Sequence, residues 1–161
     1  EIVKEYGNEF TVATVGTIKV TPHSVNVIPG TCTFSLEIRD QSAEVMKLIE
    51  NHLRQLLEDI CKKYGVTSTF VPTSYHDPAP MSELVRGTIE EAVKELGIDY
   101  TVIPSGAFHD SLIMTSVFPT GMIFVPSKDG ISHSRYEYTA PEDIENGCNV
   151  LLNTVLKLDE K

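Results

Sequence analysis

Basic residues are scarce in this 161-residue chain: 13 Lys and Arg stand against 23 Asp and Glu, for a formal charge of −10. That balance speaks against a nucleic-acid backbone or an anionic membrane as partner, since either calls for a basic face. Long apolar runs are missing too. The longest, such as Val150-Leu151-Leu152 and Met122 to Val125, are far too short to cross a bilayer. No charged stretch followed by an apolar one opens the chain as a signal segment would. Cysteine is sparse and odd in number. Cys32, Cys61 and Cys148 give neither a disulfide framework nor a CxxC metal signature, and they read as small buried hydrophobes in a reducing cytosol. Several catalytic signatures are missing as well: no G-x-S-x-G elbow, no P-loop, no GxGxxG and no HExxH.

What is present is ordinary globular material, 41 % hydrophobic and 22 % charged, in a length near one average domain. The chain starts at Glu1 without a Met, inside what reads as a helix tail (Ile2 to Gly7), and this suggests a piece of something longer. Phe10 to Val20 alternates and is rich in β-branched residues, so it predicts a strand. After the Pro29-Gly30 turn, Thr31 to Ile38 alternates again, with Cys32, Phe34, Leu36 and Ile38 on one face. The two strands are expected to pair as a hairpin with one face buried.

Ser42 is placed to cap a long helix that runs to about Tyr64 and stops at Gly65, with Val45, Met46, Ile49, Leu53, Leu56, Leu57 and Ile60 as its apolar stripe. A third strand is expected over Val66 to Val71. Strand, strand, helix, strand after an initial helix has the order of a split βαβ, ferredoxin-like layer. Asp77-Pro78-Ala79-Pro80 breaks the pattern, so the domains divide as 1–76 and 77–161. The second part predicts a helix over Ser82 to Leu96, strands at Tyr100 to Ile103 and Met122 to Val125, and a short helix around Ser111 to Val117. A last helix is expected from Thr139, with Glu142 completing a capping box. The whole is an α/β chain.

Two histidines at turn-rich junctions carry the chemistry. His109 follows the Tyr100 strand, at the edge where open α/β sheets bind ligands, behind the small residues Gly106 and Ala107 that allow close approach to the backbone. Its imidazole suits an oxyanion contact, or else caps the following helix. His133, in Gly130-Ile131-Ser132-His133, is either a zinc ligand, with Glu137 to orient it, or an exposed loop histidine. Arg39 has the planar fork that matches a carboxylate, unless it pairs with Asp40 or Glu37. Asn26 offers its amide to the same ligand across the hairpin, or bonds its own turn. A dimetal site needs several ligands and a base, and these residues supply one credible ligand.

Taken together, Ser24 to Gly30, Glu37 to Asp40, Pro104 to Ser111, and Gly130 to His133 with Glu137 resemble the amidase/hydantoinase/carbamoylase family of metal-dependent amidohydrolases. That family includes N-carbamoyl-L-amino-acid hydrolases, allantoate amidohydrolases and β-alanine synthases. The resemblance covers essentially the whole chain and corresponds to roughly the C-terminal two-fifths of a member. It implies most of a ferredoxin-like dimerisation (lid) domain followed by the C-terminal part of a zinc-peptidase-like α/β catalytic domain. It implies a cytoplasmic homodimer formed through the lid, acting on a ureido or acylated amino acid. It makes His133 the last ligand of a centre of two divalent metals (Zn, or Mn, Co or Ni). His109, Asn26, Arg39, Gly106 and Ala107 become substrate-side residues, His109 also catalytic and Arg39 on the substrate carboxylate. The general base and the other ligands would lie upstream of Glu1. Where the family usually has glycine, this chain has Phe108, whose ring narrows the space beside His109 or shifts it. A non-catalytic dimerisation or small-molecule-binding module is the competing class; within enzymes, it is a dipeptidase or N-acyl-amino-acid deacylase.

Overall fold

Local capping chemistry sets the helix ends of this chain, and the computed structural model, which describes residues 1–160, shows it at the long helices. The elements run α1 (Ile2–Tyr6), β1 (Val12–Thr14), β2 (Ile18–Thr21), β3 (Thr31–Phe34), β4 (Glu37–Arg39), α2 (Ala43–Tyr64), α3 (Glu83–Glu95), α4 (Asp110–Met114) and α5 (Pro141–Asp159), with a 3₁₀ turn at Lys128–Gly130. Two units form, Glu1–Pro78 and a second that begins at Ala79. The architecture is mixed α/β.

In the first unit, Ser42 Oγ accepts from Val45 N at 3.3 Å to start α2, and Gly65 ends it at φ 66°, a left-handed conformation that costs glycine nothing. Ile49 is the fully buried centre of the apolar stripe, whereas Leu56 and Ile60 stay exposed at its edge. α1 lies on α2, with the Tyr6 ring stacked on His52 at 3.8 Å. His52 is therefore half-buried under an aromatic ring.

The expected hairpin forms in two antiparallel segments, β1 with β4 and β2 with β3. Val12 faces Arg39 but Ile18 faces Phe34, so Val15, Gly16 and Thr17 oppose only Ser35 and Leu36. The extra residue makes a bulge, closed by Thr17 N donating to Ser35 Oγ at 3.0 Å and Ser35 N to the Thr17 carbonyl at 3.1 Å. Leu36 and Ile38 are half-buried, but Cys32 and Phe34 are exposed, because their segment of ribbon is only two strands wide. Val66 to Val71 is not a strand. Phe70 lies 3.7 Å below the Arg54 guanidinium and Tyr75 lies 6.0 Å from Lys47 Nζ, so this segment follows α2 backwards through ring–cation contacts in place of a ladder.

In the second unit, Ser82 Oγ faces Val85 N at 3.5 Å to start α3, and its own N–H donates to the Thr120 carbonyl at 2.8 Å. α5 starts one residue later than the capping-box pattern predicts. Ala140 is the N-cap without a side-chain bond, and Pro141 takes the first helical position. Packing of α3 on α5 buries Thr88, Ala92 and Val93 with Val150 and Thr154. Lys157 Nζ and Glu95 Oε1 bridge the pair at 2.6 Å. The runs Tyr100–Ile103 and Met122–Val125 form no strand ladder among the described residues, and Val102, Ile103 and Phe124 stay exposed. Their composition suits a strand, but a strand exists only with a neighbour to pair with. The three cysteines are free; Cys32 and Cys148 are exposed and Cys61 is half-buried, so the reading as buried hydrophobes does not hold.

Candidate functional site

The predicted site residues fall into both units: Asn26 and Arg39 in the first, Gly106, Ala107, His109 and His133 in the second. Arg39 closes β4, where the ladder sets its backbone opposite Val12. Next to it, Asp40 ties three segments together. Its Oδ1 accepts from Ser42 N at 2.7 Å and from Asn8 Nδ2 at 3.2 Å, and its Oδ2 accepts from the Thr11 hydroxyl. Burial pushes the Asp40 carboxyl up, but the hydrogen bonds from Thr11, Ser42, Asn8 and Gln41 outweigh it and hold it below the ordinary 3.8. The Arg39 guanidinium itself meets Glu37, with Nε and Nη2 both on Oε1 at 2.9 and 2.7 Å.

Asn26 sits in the loop between β2 and β3, where its Oδ1 accepts from the Ser24 hydroxyl at 2.7 Å. That loop opens from the Thr21/Thr31 end of the ribbon. Strand geometry puts Arg39 about 25 Å along the ribbon from Thr31. Across the hairpin, then, Arg39 faces Val12 and not Asn26.

In the second unit, His109 occupies the N-cap position of α4. Its carbonyl accepts from Leu112 N at 2.9 Å, while its side chain makes no cap bond. The half-buried ring meets Phe124 edge-on, with centroids 6.0 Å apart and planes at 61°. Ser105 Oγ donates to the Ala107 carbonyl at 3.2 Å and shapes the turn before it. Phe108 is 55 % exposed.

His133 stands on a closed loop. Lys128 N donates to the Tyr138 carbonyl at 2.8 Å, joining the loop's two ends in the manner of an Ω-loop. Inside it, Ser127 Oγ donates to the Ile131 carbonyl at 2.6 Å, and Gly130 takes φ 67°. His133 takes φ 55°, a left-handed conformation that costs any side chain some strain, though histidine adopts it more readily than most. The Glu137 carboxylate holds it there by accepting from His133 N at 2.7 Å. Glu137 thus acts on the backbone of His133 through a charge-assisted bond, at the four-residue spacing visible in the sequence.

Two neighbours escape sequence reasoning. Phe124 reaches His109 only through the fold, with nothing local to announce it. Asp40 has a local sign, since Asn8 makes an Asx turn with Phe10 N donating to its Oδ1 at 2.8 Å and its own N–H meets Thr11 Oγ1, but the closure onto Asp40 is long-range. Among the described residues no three His, Cys, Asp or Glu side chains gather as a metal site. His133 by itself supplies one of the several ligands a metal ion needs. A cavity of about 420 Å³ lies between α3, α5 and residues 121–125, walled by Val85, Ile89, Ile123, Val125, Leu151 and others. Neither His109 nor His133 lines it, and its walls are apolar, so it reads as uncovered core.

The profile of peptidase family M20/M25/M40 matches residues 5–157. An N-carbamoyl-L-amino acid amidohydrolase of Geobacillus stearothermophilus is 40 % identical over 148 residues, 92 % of this chain and 36 % of that protein. Among solved structures, a protein named AtUAH, in complex with (S)-hydroxyglycine, superposes with a TM-score of 0.91 at 34 % identity, over 99 % of this chain and 38 % of its own. An amidase of the hydantoinase/carbamoylase family from Burkholderia multivorans superposes at 0.86 with 35 % identity, over 97 % and 39 %. The chain spans about a third of the length of the curated relatives it matches. No helix among the described residues is long and apolar enough to cross a membrane.

Proposed function

Because the chain belongs to the M20/M25/M40 peptidase family, we propose that it forms part of a metal-dependent amidohydrolase cleaving the C–N bond of N-carbamoyl (ureido) amino acids or a related linear amide. In this reading residues 1–76 make most of a ferredoxin-like lid that pairs two subunits, and 77–161 complete a zinc-peptidase-like catalytic domain in the cytoplasm. The observation that carries it is the 40 % identity with an N-carbamoyl-L-amino acid amidohydrolase over nearly the whole chain.

The residues then divide the work by their chemistry. Arg39 holds the substrate carboxylate with its planar fork. Gly106 and Ala107 line the substrate, their small size allowing it close approach; Asn26, beyond the Thr31 end of the ribbon, does not reach a small ligand that Arg39 of the same chain holds. His109, at the start of α4, donates to the carbonyl oxygen as negative charge develops there. His133 is the one metal ligand this chain contributes, on a loop that Glu137 holds in a strained shape. When bound, the divalent metal pair supplies an activated water. The remaining ligands and the general base must come from residues beyond those described.

A chimera tests the reading: this sequence replaces the matching segment of the Geobacillus relative, and ammonia release from N-carbamoyl-L-amino acids is followed. Activity that Arg39→Ala weakens through KM is the expected result. A folded chimera that leaves ureido acids intact but cleaves dipeptides or N-acyl amino acids would overturn the substrate class. One that cleaves none of them would favour a binding module.

A further inference from the structure

We propose that Glu37 is a positioning residue that presets Arg39 for the carboxylate of a small amino-acid-like substrate; the proposal rests on the role given to Arg39 above. Glu37 and Arg39 are two residues apart on β4 and so share one face of the ribbon. Opposite them stand Thr14 and Val12, both uncharged. The backbone at Arg39 is set by the ladder on one side and by the Asp40 clamp on the other. The long side chain remains to be ordered, and Glu37 takes part in ordering it: Nε and Nη2 converge on Oε1, which orients the plane of the guanidinium.

The geometry separates positioning from mimicry. A carboxylate standing in for the ligand would meet the fork with both oxygens in two parallel bonds. Here Nε and Nη2 share the single oxygen Oε1 of Glu37. An arginine already held in one rotamer loses less freedom when the ligand arrives, and the gain shows in binding alone. A glutamine amide oxygen accepts the same two donors, so it keeps the geometry without the charge.

Steady-state kinetics of the full-length protein carrying this sequence test the proposal, with a ureido acid as substrate and its carboxamide as control. For Glu37→Ala, KM for the acid should rise about fivefold, the size expected when one rotamer-rich side chain must be ordered on binding. kcat should hold, the carboxamide's KM should not move, and Glu37→Gln should restore the parent KM. If both variants lower KM, Glu37 competes with the ligand and the proposal falls. If neither changes KM, the pair is an ordinary surface bridge and the proposal falls again. Arg39→Ala separates the two levels: an unchanged KM for the acid would remove the role of Arg39 itself, whatever Glu37 does. Urea midpoints of all three variants, matched to the parent, show that the effects are not losses of fold.

Discussion

Three glycines of the second unit differ in one respect that turns the same substitution in opposite directions. At Gly87 in α3 a Cβ would have nothing within 4 Å, whereas a Cβ at Gly147 in α5 would stand 2.6 Å from Val125 Cγ1. Alanine in a helix interior is favoured over glycine by about 1 kcal/mol, so Gly87→Ala should stabilise by about that much. Gly147→Ala receives the same gain but meets a carbon roughly 1 Å inside the separation at which nonbonded carbons rest. Overpacking of this kind costs about 1–3 kcal/mol, which leaves a net loss of about 1 kcal/mol. Gly121, outside any helix, has no propensity gain to set against a Cβ 2.6 Å from Val85 Cγ1 and 3.2 Å from Ile89 Cδ1. Gly121→Ala should therefore lose the most, about 2 kcal/mol. Urea unfolding followed by far-ultraviolet circular dichroism reads this directly. With an m-value of about 1.5 kcal/mol/M, Gly87→Ala should raise the midpoint by about 0.7 M and Gly147→Ala should lower it by a similar amount. Equal rises for Gly87→Ala and Gly147→Ala would refute the reasoning, because α5 would then not lie against residues 121–125 as described.

The Asp40 carboxyl is held below its ordinary value in the folded chain, so its contribution is fully present above about pH 4 and disappears as pH falls through the lowered value. Asp40→Asn should cost about 1 kcal/mol at pH 7, the worth of a partly exposed charge-assisted bond, and the gap to the parent should narrow in urea titrations as the pH falls below about 4. His133→Gly relieves a left-handed backbone worth about 1–2 kcal/mol against a smaller glycine entropy cost, so stability should hold or rise slightly. On the ligand role proposed for His133, the same variant should abolish hydrolysis by the full-length protein, and a marked drop in urea midpoint would show that the imidazole, not the backbone, holds the loop. Thr154 is buried with its hydroxyl on the Val150 carbonyl at 2.7 Å, a carbonyl the helix ladder already satisfies. Thr154→Val should stay within about 0.5 kcal/mol of the parent by the same assay, since it strands no buried donor.

Helix ends were legible because their chemistry is local. Ser42 and Gly65 bracket α2, and Ser82 and Gly97 bracket α3, within a turn of where the pattern puts them. Strands were legible only as composition. Val66–Val71, Tyr100–Ile103 and Met122–Val125 have the apolar content of strands, yet none forms a ladder, because pairing depends on a partner that the segment itself does not encode. The bulge at Val15 to Thr17 is of the same kind, since register emerges from two segments together. The site divides likewise. Glu137 lies four residues from His133 and its contact is readable from that spacing, while the Phe124 edge against His109 and the Tyr6 ring on His52 belong to tertiary packing. The exposure of Cys32 and Cys148 could not be read either, for burial is a property of neighbours.

Arg39, His109 and His133 are each set in place by local or long-range contacts, and none is enclosed. Arg39 has a ladder, a clamp and a carboxylate partner, yet its side chain is 47 % exposed. His133 has a closed loop and a carboxylate on its backbone, and it too is exposed. His109 has a helix start and one aromatic edge, and it is half-buried. Hydrogen bonds and charges in such surroundings act through water, where a contact is worth a small fraction of its value in a dry site. The hydrolysis proposed above draws on preorganised donors where water is excluded, and on that proposal enclosure comes from residues other than those that hold these groups in place. The geometry of the groups and their enclosure are then separate tasks. On that division, substitutions at Glu37, Asp40 or Glu137 should change how well a ligand is met without changing what shields it.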